Sequence, residues 1–259
     1  MELHEYYVKE IFRQAGLPVL PGGVAYTPQE ARHVATKIGS GPFWVKPQVL
    51  LGYSPNKKEN PLLKRQLAEN ADQVLEVSSE ILGAHLAGFP VDTPATIQRV
   101  YVEQAIPERV LCRFVFRVDF DCQTYTLTIV SEKYEKTLYL KELKLTNEAK
   151  KEVLKAMKIN DRAVGRLLID VLEKAYQLFV RYGAMAIELN PIVQGDRTLV
   201  VVDGRLIFDP DSLFRFPEIV KCQEIKLGHE QEAQAKKNAF RYTKMGGNIA
   251  CLTNGIGLG

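Results

Sequence analysis

An α+β fold, with mainly antiparallel sheets flanked by helices, is the class this sequence predicts, and three observations carry it. Helical and strand patterns alternate in blocks rather than as a regular βαβ series. Two runs rich in β-branched and aromatic residues, Val110 to Val118 and Thr124 to Val130, flank the turn Asp119 to Gln123. Two shorter strings, Ile187 to Pro191 and Val202 to Leu206, are separated by a hairpin-length connection. Strands paired through short turns are antiparallel neighbours, since parallel neighbours need a long crossover.

From the N-terminus, Leu3, Tyr7, Ile11 and Phe12 form an amphipathic helical stripe that stops at Gly16 and Pro18. Thr27-Pro28-Gln29-Glu30 reads as a capping box with proline at the first helical position. The helix it opens carries Ala31, Val34, Ala35 and Ile38 and ends at Gly39. Phe43 to Lys46 predicts a strand, followed by a loop from Leu51 to Pro61 with two prolines and no apolar period. A helix is expected from about Asn70 to Leu86 and a strand from Ile97 to Glu103, ahead of the antiparallel hairpin. Thr137 to Leu140 could add a strand to it. Helical periods then run from Glu148 to Met157 and from Arg162 to Tyr182. No internal repeat, low-complexity stretch or flexible linker interrupts the order.

Composition excludes several classes. With 46% hydrophobic residues the chain can bury a substantial core. Its 34 basic and 31 acidic residues leave a net charge of +3, so no global field argues for nucleic acid or an anionic membrane. The four cysteines are scattered, without Cys-x-x-Cys or zinc-finger spacing, which points to a reducing compartment. The first residues lack a signal-peptide pattern, and no apolar run approaches the ~18 residues of a membrane span. The expectation is a cytoplasmic protein that binds neither nucleic acid nor membrane.

The strings Ile-Glu-Leu-Asn-Pro (187–191) and Val-Asp-Gly-Arg-Leu (202–206) would each deliver a hard oxygen ligand to one end of a sheet, bringing Glu188, Asn190 and Asp203 together. Such a set suits Mg²⁺, which takes oxygen ligands and keeps substrate phosphates in its shell. A polar hairpin with an Asx turn before Pro191 satisfies the same residues.

The order of motifs resembles the β subunit of succinate–CoA ligase. It is carried by Leu3-His4-Glu5-Tyr6, Gly41-Pro-Phe-Trp-Val-Lys46, Val102-Glu103, Glu188-Leu-Asn190-Pro191, Asp203-Gly204, Leu213-Phe-Arg215 with Pro217, and Gly247-Asn-Ile-Ala-Cys-Leu-Thr-Asn254-Gly255, across essentially the whole chain. The resemblance implies an ATP-grasp fold, two α+β lobes holding a nucleotide between their sheets. Citrate- and malate-activating CoA ligases share that architecture, so the fold does not choose the acid. It implies a nucleotide-binding domain over residues 1–245, with a smaller lobe at about 20–98 and a larger lobe from 1–19 and 99–245. Residues 246–259 would open a truncated flavodoxin-like domain.

Position by position, the resemblance gives Lys46 a role on the nucleotide phosphates and places Glu103 beside the nucleoside at the hinge. Asn190 and Asp203 become Mg²⁺ ligands with Glu188 as an accessory carboxylate, and Asn254 contacts the acid substrate. The plain alternatives are a strand-end lysine, an edge-strand glutamate and a simple Asn-Gly turn. Where the family has a glycine-rich loop after the lysine strand, this chain keeps only Gly52 in Leu50-Leu-Gly52-Tyr53-Ser54-Pro55-Asn56-Lys57. The acid eight positions after the hinge glutamate is replaced by Leu111, and Val45-Lys46-Pro47-Gln48 looks closer to the citrate-activating branch.

What the resemblance implies for chemistry is phosphoryl transfer from ATP, used as a substrate with Mg²⁺, by an ADP-forming acid–CoA ligase acting on succinate, citrate or malate. The phosphohistidine and CoA site would belong to a partner α subunit. None of His4, His33, His85 or His229 lies in a phosphohistidine sequence, and no catalytic residue is expected on this chain alone. His85 reads as part of an apolar helix face. Two other classes stay open: a degenerate non-catalytic scaffold, suggested by the missing glycine loop, and a nucleic-acid module, disfavoured by the balanced charge.

Overall fold

The computed structural model describes residues 1–50, 63–86, 95–106, 112–131, 134–159, 161–194 and 198–222, together with 231, 234–235, 238, 240, 242 and 248–254. In chain order the elements are α1 (Glu5–Gln14), β1 (Gly22–Ala25), α2 (Pro28–Ile38), β2 (Phe43–Pro47), β3 (Gln66–Ala68), α3 (Ala71–Ile81), β4 (His85–Leu86), β5 (Ala95–Thr96) and β6 (Val100–Gln104). There follow β7 (Arg113–Asp119), β8 (Thr124–Ser131), β9 (Tyr134–Leu140), α4 (Asn147–Ala156), α5 (Arg162–Tyr182), β10 (Ala184–Gln194), β11 (Thr198–Phe208), a 3₁₀ turn (Pro210–Arg215) and α6 (Pro217–Val220).

Strands assemble into a four-stranded sheet, β1-β6-β2-β3, and a five-stranded sheet, β11-β10-β7-β8-β9. Every pairing in them is antiparallel. In the smaller sheet, Phe43, Val45, Val100 and Val102 face α2 and α3 and form a core with Ala31, Ala35, Val74 and Ile81. Because side chains alternate along a strand, Trp44, Lys46, Tyr101 and Glu103 share the opposite face. The larger sheet packs its inner face on α5, where Phe116 stacks on Tyr176 at 5.2 Å and Tyr125 meets Phe179 edge-on at 5.4 Å. Aromatic contacts of this kind add to what area burial alone supplies.

Local sequence explains most boundaries. Thr27 accepts a hydrogen bond from the Glu30 amide at 3.2 Å, while the Glu30 carboxylate accepts from the Tyr26 amide at 2.8 Å. The expected reciprocal cap is thus present, with its return arm one residue earlier. Asp161 caps α5, accepting from Ala163 at 2.7 Å. The third helix is shorter than its apolar period suggests: it ends at Ile81, and Gly83 turns the chain at φ +80°. That conformation is cheap only for glycine. His85 consequently lies on the exposed short strand β4 and not on a helix.

The first residues belong to the larger sheet. Glu2 bridges Ile207, and Val19 bridges Val201, so segments on both sides of α1 cover the edge of β11. Between them α1 lies across β11 with Val8 and Phe12 over Gly204. A Cβ there would sit 2.6 Å from Phe12 Cε2 and 3.0 Å from Val8 Cγ1, so only glycine admits the helix this close. Leu20, Ile106 and Val202 form a small apolar joint near the meeting of the two sheets. No described helix is long and apolar enough to cross a membrane.

Candidate functional site

The centre of the site is a cross-strand pair. In the β10–β11 ladder Asn190 stands opposite Asp203, and the register slips between Asn190 and Pro191. Irregularities of this kind re-aim side chains at sheet ends. Asn190 Oδ1 is buried and has no hydrogen-bond partner among the described residues. Asp203 Oδ1 accepts from Lys46 Nζ at 2.8 Å, joining the two sheets through residues far apart in sequence.

Lys46 is held from three elements at once. Besides Asp203 on β11, its ammonium contacts Glu5 Oε1 on α1 at 2.8 Å and Glu103 Oε1 on β6 at 2.5 Å. Lys9, also on α1, pairs with Glu103 Oε2 and lies 3.4 Å from Glu5 Oε1. Lys9, Lys46 and Glu103 are 1%, 5% and 0% exposed, whereas the side chains of Glu5 and Asp203 are 19% and 45% exposed, so two ammoniums and three carboxyl groups form a network that is buried at its centre and open at Asp203. Groups this dry are tolerated only when paired.

The network sets the proton affinities of its members. Burial pushes Glu5 above the usual carboxylate range, against the pull of Lys46 and Lys9. For Lys46, burial is the largest single influence and acts downward, but Glu5, Asp203 and Glu103 together outweigh it and hold the ammonium well above the ordinary lysine value. Burial likewise acts upward on Asp203, yet Lys46, through charge and hydrogen bond, and then Lys9 and Arg65 leave it lowered. Lys46 therefore stays cationic and Asp203 anionic.

Sequence reasoning named Lys46, Glu103, Asn190 and Asp203, and the structure brings these four to one place. Glu188 sits one pleat along from Asn190 on the same face, where Arg117 contacts its Oε1 at 3.1 Å and Arg205 approaches to 4.0 Å. Arg205 is itself paired with Glu2 at 2.7 Å. Asn254 is exposed near the end of the chain, and Gly52 and Leu111 lie outside the described residues, as does the loop from Leu51 to Pro61. Glu5 and Lys9 had no functional reading of their own; the available signal was an oppositely charged i,i+4 pair, with the lysine lodged between the apolar Val8 and Ile11.

Unused polar capacity is concentrated here. Trp44 Nε1 and Tyr101 OH, on the same sheet face as Lys46 and Glu103, are buried without hydrogen-bond partners among the described residues. Such atoms are few in folded proteins and call for a reason. The Trp44 ring is covered on one side by the Arg65 guanidinium, 4.5 Å from its centroid. No three His, Cys, Asp or Glu side chains converge as metal ligands among the described residues. The free Asn190 oxygen and the Asp203 carboxylate fit Mg²⁺ even so, because that ion is commonly held by one or two protein oxygens with phosphates and water completing its shell.

Known proteins resemble this chain over its whole length. The ATP-grasp domain family matches residues 2–134. The succinate–CoA ligase (ADP-forming) subunit β of Albidiferax ferrireducens is 32% identical over 279 aligned positions, which cover 100% of this chain and 69% of that protein. The subunit of the same description from Chloroflexus aurantiacus is 30% identical over 267 positions, with the same shares covered. Among solved structures, a Methanosaeta concilii ATP citrate lyase variant in complex with (3S)-citryl-CoA superposes with a TM-score of 0.65 at 10% identity, over 91% of this chain and 58% of that one. The dinucleotide forming acetyl-coenzyme A synthetase 1 of Ca. Korarchaeum cryptofilum gives 0.58 at 17% identity, over 80% and 93%.

Proposed function

Because this chain belongs to the ATP-grasp family, among the β subunits of succinate–CoA ligases, we propose that it is the nucleotide-binding subunit of an ATP-dependent, ADP-forming acid–CoA ligase. The acid is a di- or tricarboxylate of the succinate, malate or citrate type. It is activated through a phosphohistidine carried, with the CoA site, by a partner α subunit. Residues 1–245 form the nucleotide-binding domain, and the nucleotide lies between its two sheets.

One observation carries the reading: Lys46 and Asp203, on different sheets, meet at 2.8 Å, and the cross-strand partner of Asp203, Asn190, has an oxygen without a hydrogen-bond partner among the described residues. In this assignment Lys46 neutralises phosphate oxygens, and Glu103 faces the nucleoside. Asn190 and Asp203 hold Mg²⁺, which when bound spreads the charge of the transferring phosphoryl group. The protein's contribution is positioning and fixed charge. Asn254 contacts the acid.

Trp44 supplies the test, since it is the only tryptophan and lies two residues before Lys46 on the same face of β2. Adding Mg-ADP should change its fluorescence saturably, with the binding heat titrating in parallel, and Asp203→Ala should abolish both. Saturable binding unaffected by Asp203→Ala would remove the metal assignment. No binding at all would leave a non-catalytic scaffold.

A further inference from the structure

The ion pairs at the site are unequal in a way that bears on how it is filled, given the reading of Asn190 and Asp203 as the metal-holding pair. Glu103 and Glu5 each contact two ammoniums, Lys9 and Lys46. Among the described residues Asp203 contacts one, Lys46. If Lys46 moved away, Lys9 would remain to neutralise Glu103 and Glu5, whereas Asp203 would keep only the more distant charges of Lys9 and Arg65, with no described cation touching it. A carboxylate left in this way, open to solvent on one side, is free to take another cation.

The same geometry bars a divalent ion while Lys46 stays. With Nζ 2.8 Å from Asp203 Oδ1, a metal on either carboxylate oxygen would lie within a few ångströms of a fixed ammonium, and like charges that close repel one another. Nor can Lys46 simply swing aside, because Glu5 and Glu103 hold it as well, and leaving them requires replacement anions. Nucleotide phosphates are such anions, and they bring the metal with them.

We propose that Lys46 is an internal stand-in for the divalent cation: in the nucleotide-free chain it occupies Asp203, and the site accepts the metal as its nucleotide complex and not as the bare ion. Filling the site is then an exchange of partners, in which Lys46 passes from Asp203 to phosphate oxygens as the metal takes over Asp203. A cation stays against the Asp203 carboxylate throughout, the extra positive charge of the metal being offset by the phosphates that arrive with it, and Lys9 and Glu5 keep their pairing.

Bare Mn²⁺ is the probe, added as its chloride to the full chain and followed by calorimetry and by the electron paramagnetic resonance of the free ion. Wild type should bind it weakly without nucleotide. Lys46→Met should bind it roughly tenfold more tightly or better, because the competing cation is gone and three carboxylates remain against Lys9. Adding Asp203→Asn to Lys46→Met should erase that gain. Far-ultraviolet circular dichroism and a cooperative melt establish that each variant is folded, and Lys46→Gln takes the place of Lys46→Met if the latter is not. No gain on removing Lys46 overturns the proposal, and so does a gain that survives Asp203→Asn. Failure of the underlying metal assignment registers in a separate arm, as Mn-ADP binding to otherwise wild-type protein that Asp203→Asn leaves unchanged, and it takes the proposal down with it.

Discussion

Two charged clusters face the space between the sheets, and they behave as different materials. Around Lys46, the side chains of Lys9 and Glu103 are 1% and 0% exposed and each is neutralised from another element, with Asp203 reaching water at 45%. Around Glu188, the side chains of Arg117 and Arg205 are 58% and 46% exposed, and water shares the work of neutralisation. Residue types and pair distances are similar, so burial makes the difference. In a dry network no charge can be altered alone, because its partner is then left unpaired out of water. In a wet one single charges are nearly dispensable to the fold.

The largest effect that could break this contrast is Lys9→Met. It leaves Glu103 buried with one ammonium instead of two and should lower unfolding free energy by about 3–5 kcal/mol, measured by urea denaturation. Most of the loss should return in Lys9→Met/Glu103→Gln, since the orphaned carboxylate is then gone. A loss no larger than that of a surface pair would show that the interior is wetter than its geometry implies.

Next comes Gly204→Ala, which tests how the dry cluster is assembled. The added methyl would overlap Phe12 Cε2, 2.6 Å away, and should cost about 1–3 kcal/mol by forcing α1 off β11. Glu5 and Lys9 ride on that helix, so nucleotide affinity read from Trp44 fluorescence should fall as well, although residue 204 is assigned no ligand contact. Unchanged affinity would mean that α1 does not need its observed seat to serve the site.

Asn190→Ala separates function from stability. It removes a buried oxygen without a partner, so stability should stay within about 0.5 kcal/mol or improve slightly, while Mg-nucleotide affinity falls by roughly tenfold. A marked drop in melting temperature would instead make Asn190 a structural residue. The smallest effect is expected for Arg117→Ala in the wet cluster, where the pair with Glu188 should be worth less than about 0.5 kcal/mol and should fade in high salt.

How far all this was legible depended on the range of the interactions involved. Helix α5 was readable to its ends, because a long apolar period and the cap at Asp161 are local features. The β7–β8 hairpin followed from its composition and turn. By contrast β1 and β3 went unseen: each has only three or four residues and exists because a longer strand lies beside it. The third helix was read too long because apolar residues continue past Gly83 into a strand, where the same pattern serves a different period. At the site, Lys46, Asn190 and Asp203 stood in short strings of recognisable type. The buried pairing of Lys9 with Glu103 could not be read, since it joins residues 94 apart that carry no sign of each other.

By itself, then, the sequence determined the α+β class, the principal hairpins and the strands that carry Asn190 and Asp203, all of which follow from residue type and short-range period. Only the tertiary structure decided that Lys46 is enclosed by three carboxylates rather than lying open at a strand end. It also decided that the first helix reaches into the site and that Asp203 depends on a single contacting ammonium among the described residues. The physical reason is that charge pairing in a protein interior is governed by distance and by the exclusion of water. Both are set where α1, β2, β6 and β11 meet, and no stretch of the chain contains that meeting point.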